Sequence, residues 1–261
     1  MRNSLVAPLI IVILIVLFGC LGDNAPNSSA GASAPDQEYV VRNISYPINL
    51  TNVSALWCEP KNVNISTPGI VLTGGDGVTL EKLRPVCEAF AKKGIIAIAH
   101  DNVNGSIGDN VEAISAGAML LRQTSANRPV SLWGHSSGTI FSFFAAYSLA
   151  ADNVRISAFV ETSGHFQLPI CDNTNEQMVS YNGQNQPCMA YLDEFPSPIM
   201  IVHGLNDSVV SPDFAYALAA RLAQDNIAHD QAYVPDAAHE FMTNYTWVLE
   251  KEVVFVKNNG R

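Results

Sequence analysis

The strongest constraint on the fold is an alternation. Between residues 69 and 234, short apolar runs of strand length take turns with stretches of helical periodicity. The runs at 69–72, 95–99, 129–133, 156–160, 198–202 and 231–234 read as buried strands. Between them, one helix starts at Pro85, which suits a first-turn position, and ends at Gly94. A second, over 109–122, repeats Val111, Ile114, Ala118 and Leu121, and a third, over 138–151, is almost wholly apolar. A fourth opens on the pair Ser211-Pro212, a cap followed by proline at the first helical position, and repeats Phe214, Leu218 and Leu222. A last helix starts near Glu240. Strands alternating with helices imply a mostly parallel central sheet with helices on both faces, an α/β fold. Two earlier runs, 38–48 and 53–59, form an antiparallel edge, and 164–197 reads as an irregular connection.

On this frame sits Gly134-His135-Ser136-Ser137-Gly138, preceded by the apolar run Val130-Ser131-Leu132-Trp133 and followed at once by the apolar helix. Strand, sharp turn and helix in that order lift a serine hydroxyl clear of the sheet, and glycines allow the crowding. The helix N-terminus favours negative charge developing there. A serine nucleophile needs a base, and the base an orienting acid. Asp207 follows the strand at 198–202, and His239 lies between the last strand and the last helix. Ser136, Asp207 and His239 therefore form the expected catalytic set, all beyond strand C-termini. Glu161 is the rival acid, and Asp236 is too near His239 in sequence to reach its ring. His203 reads as a loop-ordering side chain, and His135 as the variable position of the turn. An oxyanion needs two backbone donors: Ser137 N–H is one, and the other is expected from Thr73-Gly74-Gly75-Asp76-Gly77, with Gly75 ahead of Asp76. The Asp76 carboxylate is expected to point away, since it would repel the oxyanion. No spacing points to a metal site, and no cofactor is implied.

The blocks GHSSG, HGLNDSVV and PDAAHEF resemble those of dienelactone-hydrolase-like enzymes, cutinase-like polyester hydrolases and prolyl-oligopeptidase catalytic domains, over about residues 67–258. The resemblance implies the α/β-hydrolase fold and acyl-serine chemistry. Two departures stand out. Thr139 follows Gly138 where many relatives have a second glycine, and the nucleophile is serine where true dienelactone hydrolases use cysteine.

The chain ends carry different information. Arg2 precedes an apolar run to Phe18, then Gly19-Cys20. This reads as a secretory signal over 1–20 ending in a lipobox-like cysteine, with Cys20 lipidated, or else as an uncleaved anchor. Residues 21–37 are small, polar and proline-containing, a tether, and 38–261 is the catalytic domain. Either reading of the start places the domain outside the membrane. A net charge of −10, from 24 acidic and 14 basic residues without a basic cluster, argues against nucleic acid. Four further cysteines in an exported chain point to disulfides. Cys171 and Cys188 flank an Asn/Gln-rich loop and are the expected pair, pinning a cap over the site. For Cys58 and Cys87, pairing or two buried thiols stay open.

The expected activity is cleavage of an ester by way of an acyl-serine, with a small-molecule or polymeric ester as substrate. A prolyl-oligopeptidase-like peptidase is the enzymatic alternative, held back by the absence of room for a peptide-selecting propeller. A surface binding protein that keeps the fold without turnover is the other.

Overall fold

The structure, a computed structural model, describes residues 38–49, 51–103, 107–125, 128–164, 179–181, 184–186, 195–240 and 244–260. Gln37–Arg261 forms one compact unit. The signal expected over 1–20, Cys20 and the expected Cys171–Cys188 pair lie outside the described residues.

The chain opens with β1 (Tyr39–Ile48) and β2 (Thr51–Pro60), an antiparallel pair in unbroken register from Tyr39 opposite Pro60 to Ile48 opposite Thr51. Then follow β3 (Gly69–Thr73), α1 (Leu80–Lys92), β4 (Ile96–His100), α2 (Ile107–Gln123), β5 (Val130–His135), α3 (Ser137–Ala151) and β6 (Phe159–Thr162). A short antiparallel hairpin, β7 (Val179–Tyr181) and β8 (Gln184–Gln186), precedes β9 (Ile199–Gly204), α4 (Pro212–Gln224), β10 (His229–Val234) and α5 (Thr246–Asn259). The main sheet has eight strands in the order β1-β2-β4-β3-β5-β6-β9-β10. β2 runs antiparallel to β4, and from β4 to β10 every pairing is parallel. The expected alternation is therefore realised, with helices on both faces.

Each face has its own core. Val111, Ile114 and Leu121 of α2, Phe143, Phe144 and Leu149 of α3 and Leu218 and Leu222 of α4 pack on one. Leu83, Val86 and Phe90 of α1 and Val248, Val253 and Val256 of α5 pack on the other. The parallel strands β3, β4, β5, β6 and β9 are buried along their whole length, which is why they read as continuous apolar runs.

Three boundaries differ from expectation. α1 begins at Leu80, so Pro85 lies inside it. The apolar stripe Leu83, Val86, Cys87, Phe90 starts before the proline, and burying Leu83 extends the helix backwards. Pro85 and Glu81 are both exposed, so the carbonyl that loses its partner can face water. α5 begins at Thr246, six residues after Glu240. The stretch expected to be irregular contains the β7–β8 hairpin, with Val179 opposite Gln186 and Tyr181 opposite Gln184.

The cysteine question left open is answered by a disulfide between Cys58 of β2 and Cys87 of α1. Both are fully buried in the α1/α5 core.

Candidate active site

The strand order turns back at β3, with β4 on one side and β5 on the other, and α/β sheets place their sites beyond the carboxyl ends of such strands. Ser136 follows β5 and Gly75 follows β3, so both stand at this crevice.

Ser136 has φ 55° and ψ −128°, a left-handed backbone that a non-glycine residue adopts only when its surroundings impose it. Those surroundings are visible. Ser136 N–H donates to Thr162 O at 3.0 Å, and Thr139 N–H donates to Ser136 O at 3.0 Å. A Cβ on Gly134 would lie 2.5 Å from Thr139 Cα, and one on Gly138 would lie 2.4 Å from Thr73 O. Both glycines are needed for strand and helix to meet this closely. Thr139, the departure from the usual second glycine, uses its hydroxyl to donate to Gly134 O at 3.1 Å, tightening the same turn. Ser136 makes no side-chain cap for α3, which leaves its hydroxyl unspent on the helix.

His239 Nδ1 is 2.7 Å from Asp207 Oδ2. A carboxylate only accepts, so Nδ1 carries the proton and Nε2 keeps its lone pair. Asp207 Oδ1 accepts from the N–H groups of Val209 and Val210, both at 2.9 Å. Burial raises the Asp207 pKa, but the Val210 N–H, His239 and the Val209 N–H outweigh it and hold the carboxyl below its ordinary value. The carboxylate stays charged although its side chain is fully buried. His203 Nε2 lies 3.0 Å from Val210 O and 3.4 Å from Asp207 Oδ2, spanning the acid loop from inside. Burial lowers its pKa, so it serves as a neutral donor.

Glu161 stands elsewhere. Its carboxyl lies under its own turn and accepts from Gly164 N–H. Burial pushes it up to about 8, so at neutral pH it holds its proton. The structure pairs His239 with Asp207.

Gly75 packs directly on Ser136. A Cβ there would lie 2.6 Å from Ser136 Cβ and 3.0 Å from Ser136 Oγ. Among the described residues, neither Gly75 N–H nor Ser137 N–H meets an acceptor. Asp76 is exposed, and its N–H donates to Ser137 Oγ at 3.1 Å. Asp76 N–H is thus engaged, while Gly75 N–H meets no acceptor among the described residues.

Sequence reasoning passed over His135. Its Nε2–H donates to His239 O at 3.0 Å, and its ring lies 4.9 Å from the His239 ring and 6.3 Å from Trp133, stacked on the latter. Burial pushes its pKa down to about 4, so it stays neutral beside His239. No local pattern marks it, because its partner is more than a hundred residues away. Among the described residues, no group of three His, Cys, Asp or Glu side chains could hold a metal ion.

Residues 97–259, more than half of the chain, match the Prolyl oligopeptidase family. The chain belongs to that family. The match takes in Ser136, Asp207 and His239 but not the loop around Gly75, whose placement rests on geometry alone. The fold is shared with a brefeldin A esterase described as a bacterial homologue of human hormone-sensitive lipase. That esterase is 13% identical, with 89% of this chain and 81% of that one aligned and a TM-score of 0.66. It is shared as well with a hyperthermophilic esterase from the archaeon Pyrobaculum calidifontis (14% identity, 84% of this chain and 85% of that one, TM-score 0.66). An acylaminoacyl peptidase from Pyrococcus horikoshii aligns over 82% of this chain but 41% of its own (13% identity, TM-score 0.62). No curated protein matches the chain in sequence. The architecture is that of the α/β-hydrolase superfamily.

Proposed function

We propose that this chain hydrolyses carboxylic esters through an acyl-serine intermediate on Ser136. The observation that carries the reading is the 2.7 Å contact between His239 and Asp207 at the same sheet edge as a serine in the strained elbow conformation. Asp207 orients His239 and stabilises it once charged, and His239 Nε2 takes the Ser136 proton as Oγ attacks the ester carbonyl. The tetrahedral oxygen accepts from Gly75 N–H and Ser137 N–H. The intermediate collapses as His239 returns the proton to the departing alkoxide, leaving acyl-Ser136. Water, deprotonated by His239, repeats the attack and releases the acid with the serine restored.

Ester cleavage is supported by the two esterases, which share the fold over 89% and 84% of this chain. Family membership favours peptide cleavage as the second reading. The test is full-length protein assayed on acyl esters of graded length and on aminoacyl-peptide reporters, with fluorophosphonate labelling of wild type and Ser136→Ala. Ester turnover with label lost in the variant supports the reading. Turnover of the peptide reporters alone, or label retained at Ser137 or Ser163, refutes it.

The protein is proposed to act outside the cell membrane, held by lipid on Cys20, with residues 164–197 as a cap tied by Cys171 and Cys188. The buried Cys58–Cys87 bond supports an oxidising compartment. Mass spectrometry of the mature N-terminus tests the anchor, and retention of residues 1–19 would refute lipidation.

A further inference from the structure

The loop carrying Gly75 is braced by a segment with no role in the mechanism so far, the polar triplet His100, Asp101 and Asn102 at the carboxyl end of β4. It touches the loop at its start, middle and end. Thr73 Oγ1 and His100 Nε2 are 3.0 Å apart, Asn102 Nδ2 donates to Gly75 O at 3.0 Å, and Leu80 N–H donates to Asp101 Oδ1 at 3.1 Å. The middle contact differs in kind from the outer two. Gly75 O and Asp76 N–H belong to one peptide group, planar and trans, so they point in opposite directions. Asn102 holds the oxygen together with Val78 N–H, which donates to it at 3.1 Å, and Ser137 Oγ holds the N–H at 3.1 Å. One peptide plane is thus gripped at both ends, from β4 and from the first residue of α3. Asn102 Oδ1 is buried and meets no partner among the described residues, where the side chain is held by its donor. The opposite amide orientation would set oxygen against oxygen.

Resting on the proposed acyl-serine mechanism, we propose that Asn102 is a positioning residue of the oxyanion hole. Its amide, with the Ser137 hydroxyl and the Val78 N–H, holds the Gly75–Asp76 peptide and through it the Gly75 Cα, which carries the N–H assigned to the hole. Gly75 needs such a lock. It has no side chain to restrict its dihedrals, and it cannot gain one, because a Cβ would meet Ser136. A donor fixed before reaction strengthens the transition state without strengthening ground-state binding.

The test is full-length Asn102→Leu, which keeps the side chain's size without its donor, alongside Ser137→Ala and the double variant. Removing an oxyanion donor costs about 100- to 1,000-fold in kcat. Loosening one should cost less, roughly 10- to 100-fold, at nearly unchanged KM. Inhibition by an alkylboronic acid, whose tetrahedral adduct fills the hole, should weaken by a similar factor, while inhibition by the product carboxylic acid stays put. Because both contacts grip one peptide, the double variant should lose about as much as the worse single variant. Wild-type kcat in Asn102→Leu, a rise in KM instead of a fall in kcat, or fully additive losses would each overturn the inference. A loss of kcat matched by a fall in melting temperature, with boronate and product inhibition weakened alike, would overturn it too. Should wild type itself neither turn over esters nor take the fluorophosphonate, the proposed mechanism fails first and this inference falls with it.

Discussion

Glu252 is a carboxyl in a place where a charge is costly. It lies on α5, buried against the sheet, with Oε1 3.4 Å from Trp133 Nε1 on β5 and 3.4 Å from Thr162 Oγ1 on β6. Burial pushes its pKa up from 4.5 to about 8, and these two donors offset only part of the rise. The folded protein thus keeps a proton that the unfolded chain gives up near the ordinary value. Between the two pKa values the folded state binds more protons, so stability falls as pH rises and levels off above the folded pKa. At about 1.4 kcal/mol for each pH unit, the ceiling is about 5 kcal/mol. Glu252→Gln mimics the neutral acid: its oxygen still accepts from Trp133 and Thr162, and it has no proton to lose. The variant should match wild type within about 1 kcal/mol near pH 5 and exceed it by several kcal/mol near pH 9. Urea unfolding of both proteins across that range measures the difference directly, and a lead of that size would raise the melting temperature by roughly 10 °C. Glu161, pushed up to about 8 as well, adds to the alkaline loss of both proteins and cancels in the comparison. Parallel stability curves would refute the reasoning, because they would mean that Glu252 ionises without penalty.

Asp207→Asn should lower kcat by about 10⁴-fold, through the wrong His239 tautomer, with Glu161→Gln costing far less. The reverse ranking in ester kinetics would mean the acid is misassigned. Gly75→Ala should abolish turnover and slow fluorophosphonate labelling while the far-ultraviolet circular dichroism stays that of wild type, since the new methyl meets Ser136. Wild-type kcat in that variant would exclude the packing described. Replacing Cys58 and Cys87 with alanine opens a loop spanning 29 residues and should cost about 3–4 kcal/mol in the loop-entropy account. A melting temperature unchanged by the replacement would count against it.

The parts of the molecule legible in the sequence are those that depend on near neighbours. Buried parallel strands are mostly apolar, so β3, β4, β5, β6 and β9 stood out as runs without any knowledge of their order. Ser136 was legible because the elbow is built within a few residues, and Asp207 and His239 because each follows a strand of recognisable pattern. Ser211-Pro212 marked the start of α4 for the same reason, and Ser211 Oγ accepts from Asp213 N–H as a cap should. Where local signals competed with packing, packing prevailed. Pro85 reads as a helix start, but burying Leu83 carries α1 back to Leu80.

What tertiary structure alone decided is who meets whom across the sheet. Cys58 finds Cys87 only because β2 pairs with β4 beneath α1, and His135 reaches the His239 backbone only because β5 and β10 end at one edge. Asn102 grips the Gly75 peptide only because β3 lies beside β4 with its carboxyl end at the same level, Thr73 opposite His100. Such contacts are set by strand order and register, which depend on the summed burial of the whole core. Pairing them from residue type alone would require knowing the crossover connections in advance, and no local propensity encodes those.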